Sequence, residues 1–443
     1  MANEWKRVTI GEVAERVAMG PFGSSIKVST FVEKGIPVIS GQHLRGSRLE
    51  DSEFNFVSEE HAGALKNANV FRGDVVFTHA GNIGQCAYIP ATSKYSRYVL
   101  SQRQFYVRCD RSKVLPEFIT CFFKSAEGRH ALLANASQTG VPSIARPVTY
   151  VRTIEIPLPN LAEQKAIAAA LGALDDKIEL NRRMNATLEA MVRALFKSWF
   201  VDFDPVRAKL DGRTPAALDP ATAALFPDSF DDSALGHIPK GWEVKTIEEL
   251  AERVAMGPFG SDIKVSTFVP EGIPVVSGQH LRGTLLDDSE FNFVSVEHAD
   301  RLKRSNVQCG DVIFTHAGSI GQVAYIPEAS RYDRYIVSQR QFYMRCNRAL
   351  VSPFYITSYF KTPEGQHRLL ANTSSTGVPS ISQPVTYLRQ LKMVVPPPAL
   401  LKVFDTTVGQ IHLKMADNDH QSRTLATLRD TLLPKLLSGE LAV

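Results

Sequence analysis

VAMGPFGSSIKVSTFV, starting at Val17, returns as VAMGPFGSDIKVSTFV starting at Val254. GQHLRG at Gly41 and SEFNFVS at Ser52 return unchanged at Gly278 and Ser289, at the same offset of 237 residues. The correspondence covers residues 9 to 159 and 246 to 396 without a gap, and is flanked by Trp5 and Trp242. Repetition at one fixed offset over that length implies two copies of one folded unit rather than a short motif used twice.

Within the first copy, IPVIS at Ile36, FNFVS at Phe54, GDVVFTH at Gly73, GQCAYIP at Gly84 and YVLSQRQFYVR at Tyr98 are β-rich, and several alternate apolar with polar residues. Helices are predicted from about Glu59 to Ala68 and from about Pro116 to Asn135. Gly20, Gly23, Gly41, Gly46, Gly81 and Gly84 supply turns between the strands. The module reads as α+β, of about 150 residues.

After Pro159 the pattern becomes helical. Asn160 with Glu163 forms a workable N-terminal cap, and a helix is predicted to run to about Phe200. Its apolar positions follow a heptad seam: Ile167, Leu171, Leu174, Ile178, Asn181, Asn185, Leu188, Val192, Leu195 and Trp199. At the same offset lie Phe404, Val408, Ile411, Met415, Asn418, Ser422, Leu425, Arg429, Leu432 and Leu436. The polar positions sit near the middle of each helix, so antiparallel pairing lays Asn181 and Asn185 against Asn418 and Ser422. A helix packed only on its own module would show a broader apolar stripe. About 40 residues at 1.5 Å each make a rod of about 60 Å.

The copies differ where LAEQ at Leu161 becomes PALL at Pro398, which removes the capping glutamate and its neighbouring glutamine. Pro434 is expected to kink the second helix or stop it early. Residues 201–241, rich in Pro, Asp and Ala, have no partner in the repeat and read as a linker. The expected domains are therefore 1–159, a first recognition module; 160–200, a helix; 201–241, the linker; 242–397, a second module; and 398–443, a second helix.

Composition limits the function classes. Hydrophobic residues make up 44% and charged residues 22%, which suits a globular chain. No apolar run approaches membrane-spanning length and MANEWKR has no apolar segment behind its charges, so no membrane partner and a cytoplasmic location are expected. Five cysteines without a CxxC pair read as buried free thiols, with no metal site expected. A net charge of +4 permits nucleic-acid binding without establishing it. There is no GxxxxGK[ST], HExxH or GxSxG, so no catalytic residue is assigned.

What recurs beside the glycine turns is a set of side chains suited to base edges and phosphates. Ser24, Ser25 and Lys27 follow Gly23; Gln42, His43 and Arg45 lie in GQHLRG; Thr78, His79, Asn82 and Gln85 surround Gly81 and Gly84; Gln102, Arg103 and Gln104 are read as part of a strand. The second copy offers Ser261, Asp262, Lys264, Gln279, His280, Arg282, Thr315, His316, Ser319, Gln322, Gln339 and Arg340. Arg, Gln and Asn make bidentate bonds to purine edges, and Lys and Arg neutralise phosphates. The plainer reading is that His79 and Gln104 satisfy buried backbone groups, while Arg103 and Lys27 belong to a solvated face.

Three stretches carry a resemblance. IPLPNLAEQKAIAAALGALDDKIELNRRMNATLEAMVRALFKSWFVDFDPVRAK from Ile156, LFPDSFDDSALGHIPKGWEV from Leu225 and TLATLRDTLLPKLLSGEL from Thr424 are similar to the central and C-terminal conserved regions of type I restriction-modification specificity subunits. The resemblance implies a pseudo-two-fold fold: two target-recognition domains separated by an antiparallel coiled coil of two long helices. It implies binding of double-stranded DNA at a bipartite site and docking of two methyltransferase subunits and, in some complexes, restriction subunits. S-adenosylmethionine, ATP and Mg are implied on those partners, with no cofactor on this chain. Recognition domains within one such subunit commonly differ, whereas these are near duplicates, so the two half-sites are expected to be nearly palindromic. Substitutions such as Ser25 to Asp262, Asn82 to Ser319, Gln138 to Ser375 and Arg146 to Gln383 are expected to relax that symmetry. The rivals are a protein-binding adaptor with an oligomerising coiled coil, and an enzyme with an unrecognised site.

Overall fold

The computed structural model describes residues 5–23, 25–137, 140–260, 262–288, 290–374 and 377–441. Two compact units emerge, one from residues 1–181 with 420–443 and the other from residues 182–419. Each holds one module and a section of both long helices.

In the first unit, alternation along the strands builds two cores on opposite faces of one sheet. Strands Ala14–Met19, Gln104–Cys109, Asp74–Thr78 and Cys86–Tyr88 lie side by side in that order, all antiparallel. Val75, Phe77, Phe105 and Val107 face a cluster with helix residues Phe118, Phe122 and Phe123. Val76 and Tyr106, one residue out of phase, face a second cluster with Val38, Val99 and Leu100. Those last three come from a five-stranded sheet ordered Phe31–Val32, Asn55–Val57, Ile36–Ile39, Arg97–Leu100, Asn69–Phe71, in which Ile36–Ile39 and Arg97–Leu100 run parallel. A ribbon of Arg7–Thr9 against Glu155–Pro157 ties the start of the module to its end.

Two local expectations are corrected. The segment from Tyr98 is two strands in two sheets, with Ser101–Arg103 forming the turn between them. The Ser101 N–H donates to the Ile39 carbonyl at 2.9 Å while the Gly20 N–H donates to the Gln104 carbonyl at 2.8 Å, so the chain changes sheets at this point. The helix from Pro116 breaks into Pro116–Lys124 and Ala126–Leu133, because the Ser125 hydroxyl caps the second piece by accepting from the Gly128 N–H at 3.0 Å.

The first long helix spans Leu161–Phe200 and the second Pro398–Leu437. Asn160 and Glu163 form the reciprocal cap, at 3.0 and 3.1 Å. In the first unit, Ile167 and Leu171 share a cluster with Leu433, Leu436 and Leu437, Asp175 accepts from Arg429 at 2.8 Å, and the Asn181 amide donates to Gln421 at 2.9 Å and Ser422 at 3.3 Å. Rising numbers on one helix meet falling numbers on the other, so these sections are antiparallel. In the second unit, the Asn418 amide donates to the Asn185 side-chain carbonyl at 2.8 Å, and Val192, Phe196 and Phe200 share a cluster with Phe404 and Val408. Leu174, Ile178, Leu188, Ile411 and Leu425 are half-buried, whereas Met415 is buried.

The second helix passes through Pro434 and ends at Leu437, the counterpart of Phe200, rather than stopping early. Proline removes one backbone donor, but Leu433, Leu436 and Leu437, each at most 7% exposed, hold the last turn by burial.

The second unit repeats the module. Ala251–Met256, Gln341–Cys346, Val312–Thr315 and Val323–Tyr325 form one sheet, and Asn292–Val294, Ile273–Val276, Arg334–Val337 and Asn306–Gln308 the other. The segment read as a linker has its own structure: helices Asp204–Leu210 and Pro220–Ala224 and a hairpin of Phe230–Ser233 with Gly236–Pro239. The Phe200 and Trp242 rings lie 5.9 Å apart, so its two ends meet in one aromatic cluster.

Candidate nucleic-acid interface

Four segments of the first module are interlocked by hydrogen bonds into a single edge. The Gln102 amide donates to the carbonyls of Gly23 and, at 2.9 Å, Ile26. The His79 N–H donates to the Arg103 carbonyl at 2.9 Å, and the Thr78 N–H to the Gln85 carbonyl at 2.9 Å. Beneath that edge, the Thr78 hydroxyl donates to Gln85 Oε1 at 3.3 Å, and the Ser101 hydroxyl to Gln104. A Cβ at Gly41 would lie 3.0 Å from Gln85 Oε1, so a larger residue there would displace the glutamine amide from this convergence.

The second module has the same arrangement. The Thr315 hydroxyl donates to Gln322 Oε1 at 3.1 Å, the Gln341 amide reaches Thr315 at 3.4 Å, and a Cβ at Gly278 would lie 2.9 Å from Gln322 Oε1. The His316 N–H donates to the Arg340 carbonyl at 3.0 Å.

The edge sorts its residues into internal posts and an outer row. His43 is 1% exposed, its Nδ1 accepts from the Ser40 N–H at 2.9 Å, its Nε2 faces the Glu53 carbonyl at 3.1 Å, and its ring stacks on Phe54 at 4.3 Å. His280 does the same with Ser277, Glu290 and Phe291. Burial lowers the His43 pKa, so the ring is neutral, with its proton assigned to Nε2. His43, His280, Thr78 and Thr315 are thus supports inside the module and present nothing to a ligand. His79 and His316 are half-buried, with Nε2 at 3.3 and 3.1 Å from the carbonyls of Gln102 and Gln339, and burial lowers both pKa values.

The outer row comprises exposed Lys27, Gln42, Arg45, Asn82, Gln102 and Arg103, and in the second copy Asp262, Lys264, Gln279, Arg282, Ser319, Gln339 and Arg340. Gln85 and Gln322 are half-buried behind it. Gln102 belongs to the outer row by exposure, but its amide is engaged in holding the loop. Arg103 lies across Gly81, where a Cβ would come within 3.2 Å of its Nη1. Ser25 is half-buried and its hydroxyl donates to the Phe22 carbonyl at 2.9 Å. Ser24, Ser261, Gln138 and Ser375 lie outside the described residues. Arg146 and Gln383 are exposed and both hold left-handed backbone, φ 45°. That strain recurs in both copies beside the edge.

Sequence reasoning missed the residues that seat each module on the helices. In the first unit, Gln164 is fully buried, receives the Leu115 N–H at 2.8 Å and donates to the carbonyls of Lys113 and Pro159. Ser47 donates to Asp175 at 2.7 Å, beside Arg429. In the second unit, Leu401 replaces Gln164, Thr284 donates to Glu189 at 2.8 Å, and His412 Nδ1 lies 2.7 Å from the Tyr325 hydroxyl. The lost glutamine in PALL was the one visible signal of this difference.

Among the described residues, no group of three or more His, Cys, Asp or Glu side chains is placed to hold a metal ion, and no helix is long and apolar enough to cross a membrane.

Residues 2–190 match the family of the type I restriction modification DNA specificity domain. Over its length the chain is similar to the specificity subunit of the type I restriction enzyme HindI of Haemophilus influenzae, 22% identical over 99% of this chain and 100% of that one. It is likewise similar to the specificity subunit of MjaIX of Methanocaldococcus jannaschii, 23% identical over 98% of this chain and 92% of that one. Among solved structures, the S subunit of a type I restriction-modification system from M. genitalium shares the fold, with a TM-score of 0.52 at 16% identity, over 98% of this chain and 96% of that one.

Proposed function

We propose that this chain, which carries the type I restriction modification DNA specificity domain and resembles type I specificity subunits along its whole length, selects the DNA target of a restriction-modification complex. Each module reads one half of an interrupted site, through Arg103, Asn82 and Gln42 in one copy and Arg340, Ser319 and Gln279 in the other. The observation that carries this reading is the duplicated edge: the same hydrogen-bonded pair of a buried threonine and a half-buried glutamine beneath the same exposed row, in both modules.

The two long helices act as an antiparallel coiled coil that sets the gap between half-sites, and their polar middles fix its register. The antiparallel contacts inside each unit support that reading. Modules related by such a pair read the same bases on opposite strands, so the site is nearly palindromic. Each unequal contact changes affinity by about 1–3 kcal/mol, enough to distinguish one position. The chain contributes no catalytic group. Two methyltransferase subunits dock on the helices and bring S-adenosylmethionine, and restriction subunits bring ATP and Mg where they are present.

Selection from a random duplex library by the purified complex tests this proposal. An interrupted inverted repeat is expected. Retention of duplexes without sequence preference, abolished by moderate salt, would return the chain to the adaptor reading.

A further inference from the structure

The motif GPFGS leaves one largely exposed aromatic ring in each module. Phe22 and Phe259 are each 75% exposed, and Val28 and Val265, farther along the same loop, are 85% and 84% exposed. Gly23 and Gly260 adopt φ +62° and +64°, with open space where a side chain would stand, so each loop turns sharply just past its phenylalanine. The loop is nonetheless held: in the first module, Ser25 donates to the Phe22 carbonyl at 2.9 Å and Gln102 ties Gly23 and Ile26 to the recognition edge.

The charge beside each ring is net positive. Phe259 borders a groove where Arg301, Lys303 and Arg304, all exposed, outnumber Asp262 and Asp300, and Phe22 borders the matching groove, whose one charged lining residue among the described residues is Lys66. Lys27 and Lys264 stand exposed in the same loops. A largely exposed ring beside phosphate-capable cations and continuous with the base-reading edge matches a base stack, which offers an apolar face between two anionic strands.

We propose that Phe22 and Phe259 are wedges, each inserted between adjacent base pairs at the margin of its module's half-site, with the groove cations holding the flanking phosphates. The proposal rests on the DNA-reading function argued above. Insertion unstacks one step and kinks the duplex, so the wedge adds a preference for a deformable pyrimidine–purine step that no side chain reads directly.

The test uses the full chain in its complex with methyltransferase subunits, bound to the selected duplex carrying 2-aminopurine at successive positions around each half-site. The expected result is a several-fold rise in fluorescence at one step per half-site. Phe22→Ala abolishes the rise at one half-site, Phe259→Ala at the other, each with at least tenfold weaker binding, while Phe22→Trp retains unstacking. Tight, selective binding without any fluorescence change overturns the wedge and leaves the reading function standing. Alanine variants that bind duplex normally but no longer hold methyltransferase subunits also overturn it, assigning the ring to a protein contact. Failure of the unaltered complex to select any sequence sinks the reading function, and the wedge with it.

Discussion

In the proposed reading, Arg103 and Arg340 are the residues on which base recognition depends most. Both are exposed at the turn where the chain passes between its two sheets, so alanine there removes a guanidinium without opening a core. Replacing both is expected to weaken binding to the selected duplex more than tenfold with unchanged thermal stability. Equal affinity would remove them from the reading set. His412 makes a separate, pH-dependent contribution to stability. Burial holds its pKa at about 4, below the ordinary 6.5, so between those values the unfolded chain binds the proton and the folded chain does not. Stability in the second unit therefore falls as pH drops from about 6.5 to about 4. Asp405, raised to about 6 by burial, acts in the opposite sense across its own range, because the folded state holds the extra proton. His412→Gln loses the imidazole titration alone. Relative to the unaltered chain, the variant is expected to retain about 2–3 kcal/mol more of its pH 7 stability at pH 4.5. Urea unfolding at both pH values measures this, and identical acid losses in the two proteins refute it.

The helix pair is the element whose sequence is easiest to interpret and whose role is most testable. Adding one heptad to each helix at its polar layer, between Asn185 and Leu188 and between Met415 and Asn418, keeps the seam in phase and lengthens the proposed rod by about 10 Å. At about 3.4 Å per base pair, the selected gap should grow by about three base pairs. An unchanged gap rejects the ruler. Both helix spans were legible in the sequence because heptad spacing and the Asn160–Glu163 cap are local signals. The early stop expected at Pro434 does not occur because proline's penalty is local, whereas the burial of Leu436 and Leu437 that outweighs it is tertiary. The same limit hid the break at Ser125 and the sheet change at Ser101–Arg103, where long apolar runs conceal one capping hydroxyl and one turn. Candidate site residues divided along similar lines. Glycine-rich turns pointed to segments that the fold ties together, but nothing in GQHLRG separates inward His43 from outward Gln42 and Arg45 without the Phe54 ring on which the imidazole stacks.

At the scale of the whole molecule, the account holds that one reader occurs twice, so the symmetry of the DNA site follows the symmetry of the chain. Four of the substitutions between the copies, at Asp262, Ser319, Ser375 and Gln383, are proposed to break the match. The most direct measurement is duplex selection by a chain carrying Asp262→Ser, Ser319→Asn, Ser375→Gln and Gln383→Arg, compared with the unaltered chain. The account predicts that the unaltered chain selects an interrupted, nearly symmetric inverted repeat and that the equalised chain selects a perfect one with the same gap. Halves that remain unrelated after equalisation, or that recur as a direct repeat, would contradict it.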